Sequence, residues 1–204
     1  MNYILFDDKR WNHLLPLTFT RPVSEIRIGI LTIKEKWDRM LGTNCSWFTR
    51  EHLSEKYKTV TSPENIAINA GALPDEELVE AIAKLKTCEG IFQDEILIAA
   101  KVKDDQVYKL TCEDCKTLVR PVNCGVAAKL ITYPWEIFLN NAQAMERDFT
   151  LITKGRTSQP ISKTNQVLNP GNIFIEEGAR VECAVLNATD GPIYIGADAE
   201  VMEG

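Results

Sequence analysis

The chain has 204 residues, 45% hydrophobic and 25% charged, which fits a soluble globular protein with one good core and a second, smaller unit. Its formal net charge of -6 excludes a general nucleic-acid binder, which needs a basic footprint, but leaves room for one small basic pocket for a phosphate. No apolar run approaches the roughly 20 residues of a membrane span. MNYILFDDKR also lacks the basic region and cleavage site of a signal peptide, so a cytoplasmic protein with no membrane partner is expected.

In chain order, Tyr3-Ile4-Leu5-Phe6 reads as a buried first strand closed by Asp7-Asp8. The loop Lys9 to Val23 follows. From Ser24, the residues Ile26, Ile30, Ile33, Trp37 and Met40 recur at helical spacing, predicting a long amphipathic helix with Ser24 as N-cap and Gly42 at its end. A turn between the first strand and first helix of an α/β domain is where nucleotides and sugar phosphates tend to bind, because strand ends and a helix N-terminus converge there.

Cys45 to Thr49 reads as the next strand, Glu51 to Lys58 as a short helix, and Ile66 to Asn69 as a third strand. Pro74 followed by Asp75, Glu76 and Glu77 marks another helix start, with Leu78, Ile82 and Leu85 as its buried stripe. This alternation predicts a doubly wound α/β domain. Gly90 to Val102, Val107 to Leu110 and Thr117 to Val122 then suggest an antiparallel excursion. Trp135, Phe138, Ala142, Met145 and Phe149 predict a helix from about Trp135 to Asp148.

The six cysteines are expected to be free thiols in a chain without an export signal. Cys112-Glu-Asp-Cys115 is a single CxxC pair with Cys124 beyond it; a zinc site would need a second pair nearby.

Residues 154–170, KGRTSQPISKTNQVLNP, are polar and aperiodic and read as a linker between an α/β domain at 1–153 and a repeat unit at 171–204. In that unit Ile175, Ala179 and Val181 are echoed 20 residues later by Ile195, Ala199 and Val201. A left-handed parallel β-helix advances one coil per about 18 residues, and an insertion near Asp190-Gly191 would give 20. A pair of ordinary β-hairpins is the alternative. Because Gly204 falls mid-repeat, the chain is expected to be the front part of a longer protein.

PLTFTRPVSEI, residues 16–26, resembles the PLT…RPKPL stretch of sugar nucleotidyltransferases. With YPWEIFLNN and the stretch from NIFIEEGARVEC to the end, it is similar to the alternative bifunctional family of Bacteroidetes. That family joins a UDP-N-acetylglucosamine diphosphorylase to a glucosamine-1-phosphate N-acetyltransferase. Some relatives carry the name glucose-1-phosphate thymidylyltransferase. The resemblance implies a Rossmann-like nucleotidyltransferase sheet followed by the start of a β-helix. It also implies a nucleoside triphosphate and a sugar-1-phosphate as substrates, Mg2+ as cofactor, and a trimer formed through the β-helix. The acetyltransferase residues would lie beyond Gly204.

The superfamily's glycine loop GxGTR is DDKRWNHLLPLT here, its PK lysine is Val23, and its metal-binding acid after the middle strand is Ala72. Replacements exist. Arg21 could bind a phosphate bidentately, with a structural ion pair as the alternative, and Arg10 could stand in for the loop arginine. Asp7 and Asp8 could hold Mg2+, or simply cap a turn. Thr18, Asn69 and Lys34 are the substrate-binding candidates. Trp11 and Trp135 could line a base or sugar pocket, with aromatic core packing as the alternative. His13 and His52 read as loop and surface residues. Two functions follow: a nucleotidyltransferase, or a degenerate binding or assembly domain attached to a β-helix.

Overall fold

The computed structural model describes residues 1–110 and 115–202, with 115 and 116 as backbone only. Two units divide it, Met1–Leu139 and Asn140–Gly204. The first contains β1 (Asn2–Phe6), β2 (Arg27–Ile28), β3 (Leu31–Thr32), α1 (Ile33–Leu41), β4 (Ser46–Phe48), α2 (Glu51–Ser54), β5 (Glu64–Asn69) and β6 (Ala72–Leu73). It continues with α3 (Glu76–Ala83), β7 (Glu89–Gln93), β8 (Ile96–Lys103), α4 (Asp104–Val107), α5 (Cys115–Leu118), β9 (Arg120–Val122) and β10 (Lys129–Leu130). Helix α6 (Pro134–Thr153) runs from the first unit into the second.

The central sheet has six strands in the order β4-β1-β5-β8-β7-β9. β1 is parallel to both β4 and β5, and β9 to β7; β8 alone is antiparallel to its neighbours. Ile4, Phe6, Ala67, Leu97, Ala100 and Val102 form a core with Val107 and Leu110 of the α4 region. Leu5, Ile66 and Ile68 alternate to the other face and are equally buried. Burial on both faces is why these strands read as continuous apolar runs.

The predicted helix from Ser24 is corrected. Residues 23–25 form a short 3-10 turn, and β2 and β3 make a small antiparallel hairpin. Gly29, at φ 75°, turns the chain between those strands. The helix starts only at Ile33, capped by Thr32, whose side chain accepts from Glu35 N–H at 3.1 Å while Glu35 accepts from Thr32 N–H at 2.7 Å. Ile26 and Ile33 are buried from either side of the hairpin rather than along one helix face, so the spacing of Ile26, Ile30 and Ile33 mimics a helix without being one. The expected end holds: Gly42 closes α1 at φ 63°. Trp37, fully buried, donates its indole N–H to Ala72 O at 2.8 Å.

α3 begins where expected, with Asp75 accepting from Leu78 N–H at 2.8 Å and Leu78 and Ile82 buried. The apolar run from Gly90 is a hairpin of β7 and β8, turning at Asp94, φ 51°. Val107 to Leu110 is not a strand: Asp104 and Asp105 open α4, where acids suit the first turn. Thr117 and Leu118 lie in α5, and β9 then pairs parallel with β7. The pair Cys112 and Cys115 lies outside the residues whose side chains are described.

α6 is longer than predicted, and its buried residues are Ala144, Asp148 and Ile152. The expected stripe is displaced from that face: Trp135 is 57% and Phe138 79% exposed, and Ala142 is exposed.

The second unit holds β11 (Gln166–Leu168), β12 (Ile173–Ile175), β13 (Arg180–Val181), β14 (Val185–Asn187), β15 (Ile193–Ile195) and β16 (Glu200–Val201). They pair in parallel as β11-β14, β12-β15 and β13-β16. Partners are 19 residues apart in the first pair, as in Gln166↔Val185, and 20 in the others, as in Ile173↔Ile193. The step from 19 to 20 falls between Asn187 and Ile193, around Asp190-Gly191. Ile173, Ile175, Ala179, Val181, Leu186 and Ile195 form the core of this unit, and parallel pairing replaces the hairpin alternative.

The reading of 154–170 as a linker is corrected in the same way, because Gln166–Leu168 is a paired strand. Asn165 donates to Val181 O at 2.8 Å and accepts from Ala184 N–H at 2.9 Å. Gln159 donates from its amide to Ala179 O at 2.9 Å. Side-chain amides join this polar stretch to the next coil, which apolar periodicity does not reveal.

Candidate functional site

The chain leaves β1, returns in β4 on one side of it, and then enters β5 on the other. The carboxyl ends of β1 and β5 therefore meet at a switch point of the sheet, the usual position of a ligand crevice in open α/β sheets. Asp7 and Asp8 follow β1, Thr49 and Arg50 follow β4, and Asn69 ends β5.

Asp7 is 3% exposed. One of its oxygens accepts from Val23 N–H at 3.0 Å and the other from the Thr49 hydroxyl at 2.6 Å. The first bond ties the far end of the loop back to the strand from which it started. Burial pushes the Asp7 carboxyl up to about 6, against the lowering effects of Thr49, Val23 and Arg50.

Asp8 caps the 3-10 helix Lys9–Leu14. It accepts from Arg10 N–H and Arg10 Nε, each at 2.8 Å, and also from Arg10 Nη2 and from Asn69 Nδ2 at 2.9 Å. Burial acts to raise its pKa, but the Arg10 hydrogen bonds and charge, with Asn69, hold it below the usual carboxylate range. Asn69 also donates to Leu97 O at 3.0 Å and accepts from Gly71 N–H at 3.0 Å.

Arg50 donates to Asp8 O at 2.9 Å, and its guanidinium lies 4.8 Å over the Trp11 ring. Arg10 Nη1, Arg50 Nε and Ser24 Oγ are buried without a partner among the described residues. Such donors call for a water or a ligand oxygen. The crevice lined by Asp7, Asp8, Arg10, Asn69, Gly71 and Ile131 encloses only about 10 Å³, room for about one water.

The sequence candidates thus divide. Asp7, Asp8, Arg10 and Asn69 come together. Thr18 is buried and donates to Trp11 O at 2.7 Å, so it braces the loop. Arg21 is exposed and makes no ion pair with the described residues. Lys34 sits elsewhere, on α1, bonded to Asp38 at 2.6 Å and Asn44 at 2.5 Å and lying over Trp47. Trp11 contacts Arg50 and His52, and Trp135 stacks on Tyr133 in the open rather than in a core. Arg50 and Thr49 were missed, although their place at the end of the second strand was the available signal.

Magnesium does not fit between Asp7 and Asp8 as they stand. Both oxygens of Asp7 and both oxygens of Asp8 already accept from protein donors. Among the described residues no group of three or more His, Cys, Asp or Glu could hold a metal ion. A roomier groove of about 510 Å³ lies beside α3, but Glu77, Glu80 and Glu89 line it, which suits a phosphate poorly. No helix among the described residues is long and apolar enough to cross a membrane.

No curated protein matches this chain. A family model described as sugar nucleotidyl transferase matches residues 3–157, which include the whole crevice and the loop over it. The mostly parallel sheet fits a Rossmann-like nucleotidyltransferase fold, and the chain belongs to the sugar nucleotidyl transferase family.

Proposed function

We propose that the first unit joins a nucleoside triphosphate, UTP or dTTP, to a sugar-1-phosphate, giving a nucleotide sugar and pyrophosphate. The sugar is N-acetylglucosamine-1-phosphate or glucose-1-phosphate. A phosphate oxygen of the sugar-1-phosphate bonds to the α-phosphorus, and the bond to the β-phosphate bridging oxygen breaks, releasing pyrophosphate. The observation that carries this reading is the pair of unpartnered guanidinium N–H groups, of Arg10 and Arg50, beside Asp7 and Asp8 at the switch point, within the residues matched by the family. Arg10 and Arg50 each hold a buried N–H in reserve there, and Arg21 is exposed on the same loop. Guanidinium groups placed where charge develops are the main source of rate in phosphoryl-type transfers. Mg2+, if required, is not seated between Asp7 and Asp8 in this arrangement, and no step depends on it here.

We read the second unit as the first coils of a left-handed parallel β-helix, supported by three parallel ladders spaced 19 or 20 residues apart. In the bifunctional family that the sequence resembles, such a helix carries the acetyltransferase and forms the trimer.

The closed crevice favours a second reading, a degenerate domain that orients or assembles the β-helix. Pyrophosphate release separates the two. Each triphosphate is paired with each sugar-1-phosphate, with magnesium in solution. Transfer predicts turnover that falls at least tenfold in Arg21→Ala and in Arg10→Ala. No turnover with any pair supports the degenerate domain, whereas turnover that is unchanged in both variants leaves transfer standing and refutes the placing of the site at Arg10 and Arg21.

A further inference from the structure

Three rings form a continuous stack on segments that also supply residues to the crevice, His13 beside Leu14 and Tyr133 two residues from Ile131. His13 and Tyr133 have centroids 5.1 Å apart at 2°, and Tyr133 and Trp135 are 4.5 Å apart at 6°. Tyr133 is the middle ring, and His13 and Trp135 present the outer faces. None of this is core packing: His13 and Tyr133 are exposed, and Trp135 is 57% exposed. Exposed aromatic surface that is held rigidly marks a binding surface more often than it marks a fold requirement.

Both ends of the stack come from segments that build the crevice. His13 lies on the same 3-10 helix as Arg10, three residues further on. Residues three apart in a 3-10 helix share one face and are separated by about 6 Å along its axis. On the opposite side, Ile131 lines the crevice and donates its N–H to Gly71 O at 2.8 Å, two residues before Tyr133. A chain of phosphates meeting Arg10 would therefore carry its nucleoside toward these rings.

We propose that the His13–Tyr133–Trp135 stack is the seat of the nucleobase, which adds a further ring to the column. The proposal rests on the nucleotidyl-transfer reading of the crevice and names the part of the substrate that this reading leaves unplaced. Stacking holds any base by its π face and reads little of its edge. The platform therefore accepts uracil and thymine alike.

The test is equilibrium binding by isothermal titration calorimetry with two probes, UTP and inorganic tripolyphosphate, on the full chain. Variants are Trp135→Ala and Trp135→Phe, whose exposed position leaves the core unchanged. The expected result is a loss of about tenfold or more in UTP affinity for Trp135→Ala, with tripolyphosphate affinity unchanged and Trp135→Phe close to the wild type. Unchanged UTP affinity in Trp135→Ala overturns the proposal. So does an equal loss for tripolyphosphate, which would make the stack a brace for the loop, and so does a wild type that binds neither probe. Turnover together with Trp135-independent UTP binding sinks the platform and leaves nucleotidyl transfer standing. Trp135-dependent UTP binding without turnover does the reverse.

Discussion

Replacing Asp7 by Asn removes a buried charge while keeping its bonds. Val23 N–H still meets the amide oxygen, and the Thr49 hydroxyl can turn to accept from the new NH2 group. The Asp7 carboxyl titrates at 3.8 when unfolded and at about 6 when folded. Its folded value is the higher, so the stability that neutral Asp7 contributes is full below pH 3.8 and is lost as pH rises through about 6. The whole change is about 3 kcal/mol, at about 1.4 kcal/mol per pH unit. The net shift already contains the attraction to Arg50, so Asp7→Asn is more stable than the wild type at pH 8 by about 3 kcal/mol. The gain closes as pH falls to about 4. All four tryptophans, at 11, 37, 47 and 135, lie in the first unit, so urea unfolding followed by tryptophan fluorescence reports that unit alone. A variant less stable than the wild type at pH 8, or a difference that does not change between pH 4 and 8, refutes the account of Asp7 as a strained buried charge.

A Cβ on Gly71 would stand 2.8 Å from the backbone oxygen of Ile131. Gly71→Ala should therefore cost the first unit about 1–3 kcal/mol in the same urea assay; an unaffected midpoint would show that the β10 segment yields freely. In the second unit, Asn165→Ala leaves Val181 O and Ala184 N–H without their side-chain partners. The expected cost is about 2 kcal/mol, read as faster hydrogen exchange at the Ala184 amide; unchanged protection there would mean that the polar stretch is not part of the coil.

What could be read from the sequence was what a strong local signal specified. β1 and β5 are apolar runs buried on both faces, and α3 starts at a proline followed by acids. The 20-residue spacing of Ile175, Ala179 and Val181 to Ile195, Ala199 and Val201 was legible because strands paired in parallel repeat similar residues at equivalent positions. The misreadings have one physical source, which is tertiary contact overriding periodicity. Ile26, Ile30 and Ile33 have helical spacing, yet Gly29 turns the chain between them, and the T-x-x-E box at Thr32 marked the true start. Gln159 and Asn165 join their coil through amides rather than apolar side chains. In the site, Asp7, Asp8 and Arg10 were legible because they follow a strand directly. Arg50 reaches Asp8 from 42 residues away through the pairing of β4 with β1, which composition does not reveal. The exposure of Trp135 was equally invisible, since an aromatic residue at helical spacing looks like core.

The central claim is that the triphosphate binds at the switch point between β1 and β5. A crystal structure with UTP tests it most directly. The account predicts ordered phosphates beside Arg10, Arg21 and Arg50, with the loop over residues 7–23 opened to widen a crevice that now holds about 10 Å³. An ordered triphosphate elsewhere, with that loop closed and Arg10 still bonded to Asp8, would contradict it.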